Sequence, residues 1–106
     1  MSILVLRIKK SWFDEIASGK KTFEFRADTP RYSKVFDRPY KYAIFHYQKK
    51  RRLLCRVNRV EKLPNELSGP ARRLVATSLV WRIELGTPIV LELPTELLTR
   101  LLLGLV

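Results

Sequence analysis

Hydrophobic positions along this chain fall into short runs whose spacing alternates between two and about 3.6 residues, separated by turn residues. From Ile3 to Lys9 the alternation predicts a strand, with Leu4, Leu6 and Ile8 on one face and Val5, Arg7 and Lys9 on the other. Ser11 then suits the N-cap of a short helix over 12–17, with Asp14 and Glu15 in its first turn, and Ser18-Gly19 ends it. Alternation resumes from Lys21 to Arg26. It predicts Phe23 and Phe25 in a core and Thr22, Glu24 and Arg26 on the opposite face, lining a cleft. Residues 28–39, interrupted by Pro30 and Pro39, read as a loop anchored by Tyr32 and Phe36.

Lys41–Tyr47 and Arg52–Val60 predict two strands joined by Gln48-Lys49-Lys50-Arg51, a basic hairpin tip. Residues 64–69 are turn-rich. Pro70 opens a predicted helix to about Leu79 that buries Leu74, Val75 and Leu79, and two further strands flank Gly86, over 81–85 and 87–93. A last helix is expected over 96–103. About six short strands interleaved irregularly with about three short helices favour an α+β fold, a mixed barrel with helices plugging its ends, over a doubly wound sheet. Neither repeats nor linkers break the chain, so 1–106 reads as a single domain.

Charge sharpens this picture. The net charge is +11, and it is uneven: residues 1–53 carry fourteen basic and five acidic side chains, residues 54–106 seven and five. Clustered cations gain from neutralising phosphates and releasing counterions, so an anionic partner explains the asymmetry better than solubility does. Cys55, the single cysteine, excludes an intrachain disulfide and a multi-cysteine zinc site. It alternates with Leu53 and Val57 on an apparent core face, which suits a small buried hydrophobe better than a nucleophile. A free thiol without a signal-peptide pattern points to a reducing, cytoplasmic setting. No metal-ligand cluster or phosphate-cradling glycine loop is present in the sequence, so neither metal nor cofactor is expected.

The strongest chemical signal is Gly19-x-Lys21-x-x-Glu24-x-Arg26, following the first strand and its helix. Glu24 and Arg26, two apart on a strand, face the same way and are close enough to pair. An Arg fixed by a carboxylate presents a rigid fork suited to phosphate or a base edge. Lys21, crowded by Lys20, Arg26 and Arg7, is either a base or a charged phosphate clamp. The run Lys49-Lys50-Arg51-Arg52, flanked by His46 and Tyr47, is a phosphate-contact candidate with an aromatic at hand for base stacking. His46 shows no catalytic partner and reads as structural. The leucine-rich C-terminus, from Leu97 to Val106, is too short to span a bilayer; it either caps the barrel or forms a homodimer surface.

In its place after strand and helix, the motif resembles the ASCH-domain signature G-x-K-x-x-E-x-R. The similarity runs more loosely through Tyr42-Ala43-Ile44-Phe45 and Leu54-Cys55-Arg56-Val57 and fades over the C-terminal third. The resemblance implies a PUA-like fold, an electropositive cleft lined by Lys21, Glu24 and Arg26, and RNA as partner. It also implies a rival: some small relatives hydrolyse N4-acylated cytosine nucleosides with a Lys–Thr–Glu set, and others are linked to RNA cleavage. In an enzyme of either kind Lys21 would be base or charge stabiliser and Glu24 would handle a proton. The amidohydrolase-type relatives carry their nucleophilic Thr at the position of Glu24, however, and here the nearby hydroxyl is Thr22, two residues early. A third class, a module for DNA or a protein partner, would use the charge alone.

Overall fold

A computed structural model describes residues 3–48 and 51–104. Its elements run β1 (Ile3–Arg7), α1 (Lys10–Ala17), β2 (Phe23–Ala27), α2 (Pro30–Val35), β3 (Tyr42–His46), β4 (Arg52–Pro64), α3 (Gly69–Leu74), β5 (Leu79–Leu85), β6 (Ile89–Leu91) and α4 (Thr95–Gly104). The strands form one sheet in the order β1-β3-β4-β5-β2, with β6 also on β4, and it curls into an α+β half-barrel. β1 and β3 are parallel; the remaining pairs are antiparallel.

The curl originates in β4. Its first residues pair with β6 and its later ones with β5, and the register shifts between Val57 and Arg59. An extra residue on one strand bends it and raises its twist. Where β5 hands over to β6, Gly86 donates its N–H to the Arg56 carbonyl at 2.8 Å, and a Cβ there would stand 3.2 Å from that of Arg56. Glycine admits this close approach.

Inside the curl, Leu4, Leu6, Ile8, Phe13, Ile16, Phe45, Leu53, Cys55, Ile83 and Leu85 form the main core. The other face of β3 is also buried: Ile44 meets Leu98 and Leu102 of α4, one helical turn apart. α4 therefore covers the back of the sheet, and its Leu97, Leu101 and Leu103 remain exposed. Burial raises the Cys55 thiol to about 12, leaving it protonated and unreactive.

Several sequence expectations need correction. The expected loop over 28–39 contains α2: Thr29 accepts the Tyr32 N–H on its side chain and Pro30 stands at N1, a start signal hidden by reading the proline as a breaker. Ser11 lies inside α1, whose N-cap is Lys9; Asp14 falls beyond the first turn and instead pairs with Lys10 at 2.8 Å. The helix expected from Pro70 to Leu79 stops at Leu74, leaving Leu74 and Leu79 exposed and Val75 buried. Side chains bind the carbonyls beyond its end: the Asn65 amide, from before the helix, donates to Val75 and Thr77, and so does Arg72 from its last turn.

Candidate functional site

β2 is an edge strand, paired with β5 alone. Its register sets Glu24 opposite Ile83 and Phe25 opposite Arg82. Directly opposed residues share a face, so Glu24 points with Ile83 into the half-barrel, where it is 0% exposed. Phe23 and Phe25 are only half-buried on the outer face, and Arg82 lies over the Phe23 ring at 4.9 Å. The alternation is as expected but the faces are exchanged. A carboxylate can occupy the interior when cations and hydrogen bonds compensate its lost hydration, and here they do.

Glu24 Oε1 accepts the Phe25 backbone N–H at 3.0 Å and lies 3.3 Å from Lys21 Nζ. Glu24 Oε2 takes Arg26 Nη2 at 3.2 Å. The same Nη2 donates to the Arg7 carbonyl at 3.0 Å, and Nη1 donates to the Tyr32 hydroxyl at 3.1 Å. No backbone ladder joins β1 to β2, so the Arg26 fork closes the seam of the half-barrel. This corrects the expected role of Arg26: its donors are turned inward, onto Glu24, Arg7 and Tyr32.

Each motif position thus has a physical task. Gly19, at φ +82°, ends α1 in a conformation that strains other residues. The Lys21 N–H returns to the Glu15 carbonyl at 3.0 Å, tying β2 to α1. That tie sets Lys21 Nζ over the Trp12 ring, 4.3 Å from its centroid, a cation–π contact. Trp12 carries no site signal in the sequence, and Tyr32 reads there as a loop anchor able to stack on a base, not as a partner of Arg26. Trp12 was visible only as part of an amphipathic helix, and Tyr32 had no sequence link to Arg26.

Outside this cluster lies a cleft of about 370 Å³ lined by Trp12, Lys20, Lys21, Thr22, Phe23 and Glu24, among others. Lys20 and Thr22 are exposed, and the Thr22 carbonyl is held by the Leu85 N–H at 2.9 Å. The cleft also receives apolar Leu67, Ala71 and Val75 from around α3.

The basic hairpin divides. Lys49 and Lys50 lie outside the described residues. Arg51 sits over the Phe13 ring at 5.4 Å, and Tyr47 meets the same ring edge-on at 4.8 Å, so this tyrosine is partly core. Arg52, expected at an exposed tip, is buried at 8% exposure. Its Nε donates to Thr95 Oγ1 at 2.6 Å and its Nη1 to the carbonyls of Gln48 and of Arg51, the latter at 2.9 Å. It fixes the hairpin to α4. His46 is half-buried, and burial, then Arg52 and Arg7, lower its pKa below the ordinary value.

Comparison with protein-family models, curated proteins and solved structures finds no match for this chain. Among the described residues no cluster of His, Cys, Asp and Glu is arranged to hold a metal ion, and no helix is long and apolar enough to cross a membrane.

Proposed function

We propose that the chain is an ASCH-like, PUA-like domain that binds RNA at the Trp12–Lys21 cleft. The observation that carries the reading is Lys21, anchored between Glu24 and the Trp12 ring at the edge of the cleft, with Lys20 beside it. Anchoring removes rotamer freedom before binding, so less entropy is lost on contact with a phosphate. Trp12, Phe23 and Phe25 offer aromatic surface to a base in a groove whose rim is cationic. The uneven charge adds long-range attraction for a polyanion, RNA in preference to DNA on the ASCH resemblance. A lone buried thiol fits a cytoplasmic setting.

The test is fluorescence anisotropy with a short single-stranded RNA across a salt series, with DNA of the same sequence as competitor. Binding should weaken steeply with salt, and Lys21→Ala should cost about 1–3 kcal/mol of affinity, measured at a temperature where the variant is fully folded because it also loses a counter-ion of the buried Glu24. Equal affinity of wild type and variant would remove the cleft from the footprint.

One observation favours the enzymatic rival: Lys21, Thr22 and Glu24 line the same cleft. Against it, both Glu24 oxygens already meet cationic donors. Incubating wild type and Lys21→Ala with N4-acetylcytidine and with mixed-sequence RNA, and following products by mass, separates the readings: an enzyme gives product with wild type alone, a binder with neither. Self-association through Leu97, Leu101 and Leu103 is tested by sedimentation at two protein concentrations.

A further inference from the structure

On the back of the sheet, three basic side chains stand in one row on adjacent strands. Arg7 is in register with His46 across the parallel β1–β3 pair, and His46 with Arg52 across β3–β4. Partners in register share a face, so the row runs across three strand ends on the side that carries α4. A cavity of about 380 Å³ opens there, lined by Arg7, His46, Tyr47, Gln48 and Arg52.

Among the described residues the row has no internal counter-ion. Every Asp and Glu side chain of the chain belongs to a described residue, and none of them pairs with Arg7, His46 or Arg52. Arg52 is the sharper case, because it is more than nine-tenths buried and a guanidinium does not deprotonate in proteins. Its described acceptors are a hydroxyl and two carbonyls, all neutral. Thr95 moreover opens α4, and a helix N-terminus adds positive partial charge instead of relieving it. Buried charges are ordinarily paired, because burial without a partner is costly. An arginine retained in such a place, beside a second arginine, an imidazole and open volume, calls for an anion from outside.

We propose that this pocket is an oxyanion site for a phosphoryl group, held by Arg7, His46 and Arg52. Arginine forks match the several oxygens of a phosphoryl group better than they match chloride. The group is either a free phosphate or a backbone phosphodiester of a nucleic-acid strand; both offer the same oxygens. Arg7 also joins this site to the front one: its carbonyl accepts from Arg26, while its side chain lines the back pocket. The site does not depend on RNA binding in the Trp12–Lys21 cleft.

The reporter is His46. It is the sole histidine, so its imidazole resonances need no assignment, and the charged groups facing it are Arg7 on β1 and Arg52 on β4, with the Tyr47 phenol beside it. A bound oxyanion favours the imidazolium, so the His46 titration midpoint should rise by about one pH unit in saturating phosphate relative to chloride of equal ionic strength. Phosphate should correspondingly bind about tenfold tighter to the protonated form. A short RNA without terminal phosphates, used as a second probe, gives the same rise if phosphodiesters enter. A rise with phosphate alone assigns the pocket to free phosphate groups. Because Arg7 is exposed, Arg7→Gln should fold normally and abolish the rise, whereas Lys21→Ala should retain it. An unchanged midpoint with both probes, a rise that survives Arg7→Gln, or one that vanishes in Lys21→Ala would each overturn the proposal.

Discussion

Two groups of cations occupy the two faces of one curled sheet, and they differ chiefly in a single carboxylate. Inside, Lys21 and Arg26 share Glu24, which is fully buried between them. On the back, Arg7, His46 and Arg52 share none among the described residues. In the first group the donors of Arg26 are turned onto the protein itself, across the seam to Arg7 and Tyr32. In the second, a buried guanidinium meets only neutral oxygens. The contrast separates two uses of basic residues that composition alone merges. A cation with an internal counter-ion is framework, and one without it is available to an external anion. Lys21 lies at the boundary, since it touches Glu24 yet also lines the cleft.

Removing the carboxylate is the most severe way to break the distinction. Glu24→Ala leaves a cavity in the half-barrel and strips the partly buried Arg26 and Lys21 of their shared counter-ion, and should destabilise the fold by about 2–4 kcal/mol in urea unfolding. A loss below about 1 kcal/mol would mean that the inner cluster behaves as a surface ion pair. Next in size, Arg26→Lys keeps the charge but removes the fork that reaches Glu24, Arg7 and Tyr32 together. It should cost about 1.5–3 kcal/mol, with increased amide exchange at Arg7 and Ile8 as the seam loosens. A variant as stable as wild type would show that charge alone closes the seam.

The smallest effect sharpens the other side. His46 has a lowered folded-state pKa, so the unfolded chain binds its proton first as pH falls. Its contribution is then full above pH 6.5, the unfolded value, and declines as pH falls through 6.5 towards the folded midpoint. Wild type should therefore lose more stability than His46→Gln between pH 7 and 5 in phosphate-free buffer. Saturating phosphate should reduce that difference. A wild type and variant with parallel pH profiles would show that neither burial nor Arg52 and Arg7 lowers the imidazole's pKa in the folded protein.

The period of the strands was legible from the chain, and so were the turn at Gly19 and the framework of β1, β3, β4 and β5. Which side of β2 faces inward was not legible. Alternation gives two faces, and hydrophobicity assigned Phe23 and Phe25 to the core because the counter-ions of Glu24 come from Lys21 and Arg26 only once the strand folds against α1. Arg52 was misread for a related reason. A run of four basic residues suggests a solvated tip, but Arg52 begins a strand whose alternation with Leu54 turns it towards α4. The row Arg7–His46–Arg52 was invisible in the sequence, since it depends on the parallel register of β1 and β3, set by contacts between residues far apart. α2 was legible in principle, through Thr29-Pro30.

The most direct test of the distinction is a crystal structure of the protein with a short single-stranded RNA, grown in phosphate-free, low-salt conditions. The account predicts Arg26 still clamped on Glu24, Arg7 and Tyr32, a phosphate against Lys20 and Lys21 at the cleft, and a phosphoryl group between Arg7 and Arg52. An Arg26 swung off Glu24 to take the phosphate, with the Arg7–Arg52 pocket empty, would contradict it.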